Sequence, residues 1–183
     1  MSLFSPRRAA LDFETVAAEN EQKIYRTCLT MLGGREDAED CLQETMLRAY
    51  RAYPSFDGRS QLSTWFYRIA VNVCIDFIRK RRPAVSLDAM RDEGFDVGDG
   101  KQNTYLSLEA RERKRLLSEA LKRLPEDARA LIVLRDVQGL SYEEAAQALE
   151  VPLGTLKSRL SRAREKLAGL LLKDAELFHR ANV

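Results

Sequence analysis

Between residues 155 and 166 the chain sets hydroxyl, guanidinium and ammonium groups at helical spacing. Thr155, Ser158, Arg159 and Arg162 share one side of a 3.6-residue period, and Leu156, Leu160, Ala163 and Leu167 share another. From Lys157 to Lys166 the bases are Lys157, Arg159, Arg162, Arg164 and Lys166, against the single acid Glu165. A helix of this kind packs along its leucines and presents donors outward. Hydroxyls and guanidinium groups suit base edges in a DNA major groove, and lysines suit phosphates. The bland alternative is a solvated amphipathic helix.

The residues just upstream favour the groove. Ser141 followed by Glu144 is a capping box, so a helix starts near Tyr142. Ala145, Ala146 and Leu149 give it a thin apolar face that lets a second helix approach closely, and Glu150–Val151–Pro152 ends it. Proline suits the first turn of the next helix, where no N–H partner is lost. Leu140–Leu167 thus reads as two helices joined by a tight turn, with Glu150 standing where such turns often want glycine for a left-handed backbone.

A second set of candidate groups lies in the N-terminal half. After the turn-rich loop Pro54–Gln61, the spacing predicts a helix with Leu62, Phe66, Ile69, Val73 and Phe77 as its core stripe. Trp65, Arg68, Asn72, Asp76 and Arg79 fall within about a quarter of its circumference on another face. An exposed tryptophan beside arginine and asparagine offers planes for stacking and an amide for base edges, as single-strand binding requires. Trp65 could instead pack against a neighbouring helix. The basic run Arg79, Lys80, Arg81 and Arg82 tips the reading toward nucleic acid.

The elements that must position these groups follow from periodicity. One amphipathic helix is expected over Leu11–Leu32, broken by Gly33–Gly34, and a second over Glu36–Tyr53, closed by Pro54. The second turns Ala38, Cys41, Leu42, Thr45 and Ala49 inward, with Asp37, Asp40 and Glu44 on the opposite side. Those acids either compensate the helix dipole or form an acidic docking surface; the dipole accounts for Glu36–Asp40 but not for Glu44, further along the same face. Residues 84–105 show no sustained period and form a linker. They divide the chain into a helical domain over 11–83 and another over 106–173, with a tail over 174–183. In the second domain, helices are expected over Leu106–Leu124 and from Pro125–Asp127 to Val137, where Gly139 introduces the helix pair.

Composition bounds the rest. A chain of 183 residues, 45% hydrophobic and 32% charged, can bury one modest core or two small ones. No apolar run reaches the roughly 20 residues that span a bilayer, and the N-terminus lacks a signal peptide's apolar stretch, so the cytoplasm is expected. Cys28, Cys41 and Cys74 are widely spaced within helical patterns and read as buried thiols rather than a disulfide framework or zinc site. The net charge is only +2 but is segregated, which argues for partners of both signs. His179 is the single histidine, and no Gly-rich phosphate loop or acid, base and nucleophile set occurs, so neither catalysis, a metal nor a cofactor is expected.

Taken in order, AEDCLQETMLRAY, LSTWFYRIAVNVCIDFIRKRR and LPEDARALIVLRDVQGLSYEEAAQALEVPLGTLKSRLSRAREKL resemble bacterial RNA polymerase sigma factors, most closely the small extracytoplasmic-function (ECF) group with two helical domains. The resemblance implies an all-α chain with a region 2-like bundle and a region 4-like helix-turn-helix domain. It implies docking on core polymerase, on the β′ coiled coil through Asp37, Asp40, Gln43 and Glu44, and on the β flap. Trp65–Arg79 would match the helix that reads and melts the −10 element. Phe56, Asp57, Ser60 and Gln61 lie in the loop that receives a flipped base, with Lys80 added to the basic end. The C-terminal pair, Ser161 and Arg164 included, would read the −35 element. Promoter DNA, duplex and single-stranded, and an anti-sigma factor are the further partners implied. Val71 stands where the family often has a basic residue and Glu150 where it often has glycine. A free-standing dimeric helix-turn-helix regulator would explain the C-terminal domain but leave the acidic helix and the Trp65 face without work.

Overall fold

The computed structural model describes the backbone of residues 6–81 and 108–181 and the side chains of residues 13–81 and 110–174. The expected linker over 84–105 falls outside these residues. Among them every regular element is helical, in agreement with the all-α expectation.

The N-terminal domain comprises α1 (Pro6–Leu32), α2 (Arg35–Ala52), a short 3-10 turn (Tyr53–Ser55) and α3 (Leu62–Arg81). Helix α1 buries Phe13, Ile24, Cys28 and Met31. It stops at Gly33, whose φ of 76° suits a residue without Cβ, and whose N–H donates to the Leu29 carbonyl at 2.8 Å. A Cβ at Gly33 would meet only the far end of the Lys122 side chain, which can move aside, so it is the left-handed backbone that fixes the position. Helix α2 turns Ala38, Cys41, Thr45 and Ala49 inward, and these small side chains let it lie close to both α1 and α3. The Thr45 hydroxyl is satisfied within the helix, donating to the Cys41 carbonyl at 2.6 Å.

Cys28, Cys41 and Cys74 come one from each helix and all are buried free thiols, as the spacing implies. Hydrogen bonds from the other two thiols, with burial, push Cys74 well above the ordinary thiol range, while its bond to Cys74 lowers Cys41.

Helix α3 differs from its expected pattern. Phe66 and Val73 of the expected stripe are buried and Leu62, Ile69 and Phe77 are half-buried, but Trp65, Tyr67, Ala70, Val71, Cys74 and Ile75 are buried too. The reason is position: α3 packs against α1 and α2 on one side and against α5 (Glu126–Ile132) and α6 (Tyr142–Ala148) of the C-terminal domain on another, so no single stripe can cover it.

The C-terminal domain comprises α4 (Leu108–Lys122), α5 (Glu126–Ile132), α6 (Tyr142–Ala148) and α7 (Leu153–Ala181). Helix α5 runs on into a widened π-type turn over Val133–Val137, closed by the Gln138 N–H on the Val133 carbonyl at 2.9 Å. Gly139, at φ 74°, redirects the chain. The capping box forms as expected: the Glu144 N–H donates to Ser141 Oγ at 3.1 Å and the Ser141 N–H to Glu144 Oε2 at 2.7 Å. Helix α7 buries Leu156, Leu160 and Ala163 against α5 and α6. Its backbone stays helical to Ala181, past residue 174 where the sequence suggests a tail, because nothing after Gly169 breaks a helix.

The domains meet along a seam. Arg129, 6% exposed, donates Nη1 to the Met31 carbonyl at the end of α1 at 2.5 Å, and Nη2 to the Lys122 carbonyl of its own domain at 2.5 Å. One guanidinium group thus satisfies carbonyls at the C-terminal ends of α1 and α4.

Candidate nucleic-acid interface

On α7 the sequence-predicted readers are set out as the leucine stripe requires. Lys157, Ser158, Arg159, Ser161 and Arg162 are exposed, opposite buried Leu156, Leu160 and Ala163, and Thr155 is half-buried. Two hydroxyls are engaged locally, Ser158 Oγ donating to the Thr155 carbonyl at 3.0 Å and Ser161 Oγ to Glu165 Oε1 at 3.3 Å. Lys157 lies with its ammonium 5.6 Å from the centre of the Tyr142 ring. Arg164 is turned away from the others. It holds Asp136 through Nε–Oδ2 at 3.0 Å and Nη2–Oδ1 at 2.5 Å, and these bonds push its pKa further up.

The turn before α7 carries a left-handed residue that is not glycine. Glu150 adopts φ 53°, and Val151 N–H closes the turn on the Ala146 carbonyl at 3.0 Å. The glycine-like geometry suspected at this position is therefore present, held by a residue that pays for it in backbone strain.

The N-terminal set is rearranged. Trp65 is 5% exposed, so the expected exposed stacking ring is corrected. Its ring centre lies 5.2 Å from Phe56, 5.3 Å from Phe66 and 6.3 Å from Tyr53, because the 3-10 turn and following loop fold back over it. Trp65 still forms part of the wall of a cleft of about 460 Å3, with Phe56, Asp57, Ser60 and Arg68 from its own domain and Gln147 and Glu150 from the other. Asp57 shapes the loop: its carboxylate accepts from the Arg59 N–H at 3.1 Å and meets Arg59 Nε at 2.9 Å. Gln61 is exposed and accepts the Trp65 N–H on its carbonyl at 3.1 Å, starting α3. Val71 is fully buried, so the position the family often fills with a base makes no phosphate contact here.

Further along α3, Asn72, Asp76, Arg79 and Lys80 are exposed. Asn72, Asp76 and Arg79 line a second cleft of about 490 Å3 together with Arg48, Asp127 and Arg159 of the α7 face. Most of the charged groups are paired. Arg68 meets Glu150 Oε1 at 3.1 Å, Arg79 meets Glu126 Oε1 at 3.0 Å and Asp127 Oδ1 at 3.4 Å, and Asp76 meets Arg48 at 3.3 Å.

On α2, Asp40 and Gln43 are exposed, Asp37 is half-buried against Arg81 at 2.5 Å, and Glu44 pairs with Arg48 at 2.7 Å. Two residues on the same side lie within the Ala38–Tyr50 stretch that the resemblance assigns to docking but are not singled out by the sequence. Leu47 is 50% exposed and Tyr50 58% exposed, at helical spacing from Asp40 and Gln43. The signal was in the sequence: Leu47 stands seven positions after Asp40 and Tyr50 seven after Gln43, large apolar residues on a polar face.

Among the described residues no cluster of His, Cys, Asp and Glu could hold a metal ion, and no helix is long and apolar enough to cross a membrane.

Two family models match, Sigma-70 region 2 over residues 16–84 and Sigma-70 region 4 over residues 114–167. The chain is 40% identical over 156 residues to the ECF RNA polymerase sigma factor SigW of Bacillus subtilis, covering 80% of this chain and 82% of that one. It is 40% identical over 140 residues to the ECF sigma-E factor of Escherichia coli K12, covering 72% of each. Among solved structures, the sigma factor RpoE of Bartonella quintana, in complex with the anti-sigma factor NepR, is similar with a TM-score of 0.66 at 28% identity, over 87% of this chain and 96% of that one. CnrH in complex with the cytosolic domain of CnrY gives a TM-score of 0.65 at 25% identity, over 88% of each chain. A region 2 bundle followed by a region 4 helix pair, with this level of identity along both, places the chain in the ECF group of the sigma-70 family of RNA polymerase sigma factors.

Proposed function

We propose that the chain docks on core polymerase through α2, reads the −35 element as duplex with α7, and reads and melts the −10 element with α3 and the 56–61 loop. As a sigma factor it acts in transcription initiation. What the proposal adds is the division of labour among its faces.

The observation that carries it is the surface of α7. Lys157, Arg159 and Arg162 stand exposed opposite a fully packed leucine stripe, so the helix is rigidly seated while its donors remain available. Arginine forks suit guanine edges and the lysine suits phosphate, which separates base readout from positioning. The −10 face supports the second half of the reading. Phe56, Asp57, Ser60 and Trp65 border a cleft beside Arg68, a shape that could hold an unstacked base against apolar walls with a cation nearby.

Docking on polymerase is supported by Leu47 and Tyr50, large apolar side chains exposed among Asp40, Gln43 and Glu44. An apolar centre with a polar rim is the composition of an interface rather than of a solvated face. An anti-sigma partner is part of the proposal, since two structural neighbours, RpoE and CnrH, are seen with NepR and CnrY.

The deciding experiment is transcription in vitro from a genomic library with core polymerase plus this protein, with start sites mapped. Starts that share an upstream and a −10 motif, and that vanish when Arg159 and Arg162 are replaced by alanine, are the expected result. Random starts, or none above core alone, would refute the reading.

A further inference from the structure

We propose that Cys41 and Cys74 are a thiol pair that a small uncharged peroxide converts to a disulfide, and that this link between α2 and α3 lowers the affinity of the N-terminal domain for core polymerase. The chemistry stands on the thiols alone, and its consequence rests on the α2 docking assignment above.

The three cysteines form one cluster in the core. Cys28, Cys41 and Cys74 are 0%, 2% and 0% exposed and come from α1, α2 and α3, which pack on one another pairwise. Cys74 lies in the middle, hydrogen-bonded to both of the others. Packing asks only for small apolar side chains, such as Ala38, Ala49 and Ala70 supply in the same core. What sulfurs add is a bond they can form with one another.

The two neighbours of Cys74 are placed differently. Cys28 is wholly enclosed, whereas Cys41 is within electrostatic reach of Asp37, Asp40 and Arg81, which puts it at the rim of the core beneath the docking face. Asp37 and Arg81 meet each other there at 2.5 Å, and the Arg81 side chain is 64% exposed. A pair that open to solvent parts at little cost, which admits a small neutral oxidant to Cys41. The hydrogen bond with Cys74 holds the Cys41 thiol below its ordinary range, so Cys41 is the sulfur that attacks. Hydrogen bonds with Cys28 and Cys41, together with burial, push Cys74 well above that range, so Cys74 stays a thiol until it resolves the product.

The steps balance. The Cys41 thiolate attacks one peroxide oxygen, the O–O bond breaks, and Cys41 becomes a sulfenic acid as the other oxygen leaves as hydroxide. The Cys74 sulfur then attacks the Cys41 sulfur, the S–O bond breaks and a second hydroxide leaves. The protons given up by the two thiols turn both hydroxides into water. Each sulfur is oxidised by one electron, and the peroxide is reduced by two.

A disulfide holds its sulfurs about 2.05 Å apart and its Cβ atoms about 3.8 Å apart, closer than two separate thiols in contact. A close-packed core transmits that contraction, so α2 is drawn toward α3 at Cys41. Asp40 is the adjacent residue and Glu44 lies one turn further on, so the docking groups move with the sulfur.

The test takes the full-length chain, reduced and then exposed to hydrogen peroxide, alkylated, unfolded and cut with trypsin without reductant. Cleavage after Arg26, Arg35, Arg48, Arg68 and Arg79 puts each cysteine in its own fragment, so the linked pair identifies itself. The expected product joins fragment 36–48 to fragment 69–79, two hydrogens lighter than the two apart, with Cys28 alkylated. In a titration of core polymerase the oxidised chain should bind about three- to tenfold more weakly than the reduced one, as a preorganised face that has been shifted does. Dithiothreitol should restore the affinity, which it cannot do for oxidised methionine. Cys74→Ala should bind core as the reduced wild type does and lose the peroxide response, and Cys28→Ala should keep it. Circular dichroism checks that both fold, and oxidation and reversal of the wild type decide the matter without them. A peroxide-treated chain with no linked fragment, or with Cys28 in the link, overturns the thiol pair. A Cys41–Cys74 link that leaves affinity for core unchanged overturns its effect on docking. If the reduced chain does not bind core at all, the fault lies in the docking assignment, and the fragments alone still decide the thiol pair.

Discussion

Arg164 on α7 and Asp136 in the π-type turn form a two-point ion pair, Nε to Oδ2 at 3.0 Å and Nη2 to Oδ1 at 2.5 Å, that ties α7 to the element behind it. This sorts the arginines of α7 by task. Arg159 and Arg162 make no ion pair among the described residues, and Arg164 does. Arg159→Ala and Arg162→Ala should each cost about 1–3 kcal/mol in binding to the upstream duplex and little on random DNA, whereas Lys157→Ala should weaken both alike and reduce the salt slope. Arg164→Ala should leave base discrimination intact and cost at most about 1 kcal/mol of stability, as a partly exposed pair does. Fluorescence anisotropy on specific and random duplexes distinguishes these; equal losses on both for Arg159→Ala would remove it from base readout.

The α2 face should behave as an interface and not as a support. Leu47→Ala and Tyr50→Ala remove exposed apolar mass, so each should lower affinity for core polymerase by about 1–2 kcal/mol. Leu47→Ala should change unfolding free energy by under about 0.5 kcal/mol, and Tyr50→Ala, which loses an edge-on contact with Phe13 at 5.4 Å, by about 0.5–1.5 kcal/mol. Charge reversal at Asp40 should act like Leu47→Ala on binding. A titration of core polymerase that shows unchanged affinity for Leu47→Ala would take this surface out of the proposal.

The capping box predicts a pH window. Glu144 is held below its ordinary range by the backbone N–H and then the hydroxyl of Ser141. A carboxyl depressed in the folded state contributes stability that is complete above its unfolded value of about 4.3 and is lost as pH falls through the lower, folded one. Ser141→Ala should therefore cost about 1 kcal/mol at pH 7. The stability difference between wild type and Glu144→Gln should hold from pH 7 to about pH 5 and shrink below about pH 4. Denaturant melts at a series of pH values measure it, and a difference that grows on acidification would contradict the assignment.

How much of this was legible in the sequence depended on how many neighbours each residue has. Helices with one partner side, such as α2 and α7, showed their buried positions directly: Ala38, Cys41, Thr45 and Ala49 in one, Leu156, Leu160 and Ala163 in the other. Caps and breakers were equally readable, since Ser141 with Glu144, and Gly33, act on backbone groups a few residues away. Helix α3 was misread at Trp65 because the 3-10 turn and loop just before the helix fold back over the ring, placing Tyr53 and Phe56 against it, and the periodicity of α3 alone cannot register a covering loop. The pairing of Arg68 with Glu150 was invisible for a different reason: the residues are 82 positions apart, and sequence showed only that Glu150 was unusual for its turn.

Burial of Trp65 also changes how melting must be tested. At 5% exposure and ringed by Tyr53, Phe56 and Phe66, Trp65→Ala should destabilise the N-terminal domain by about 3–5 kcal/mol, so loss of open complex in that variant would not distinguish a stacking ring from a packing one. Ser60 and Asn72 are the discriminating positions. Ser60 lines the cleft beside Trp65, Asn72 is exposed on α3, and neither carries core packing. Ser60→Ala and Asn72→Ala should leave unfolding within about 0.5 kcal/mol of wild type. They should leave closed-complex formation on duplex promoter nearly unchanged, because α7 and α2 are untouched. Open complex should fall by roughly tenfold for a lost base contact of about 1–2 kcal/mol, since an extracted base is held by such contacts and a stacked one is not. A template already unpaired at −10 should return much of the activity, because the unstacking cost is then removed in advance. Permanganate footprinting of unpaired thymines gives the open fraction directly. If Asn72→Ala and Ser60→Ala holoenzymes open duplex promoter at the wild-type rate, neither the cleft beside Trp65 nor the Asn72 face captures a base, and α3 serves only as the scaffold on which the two domains pack.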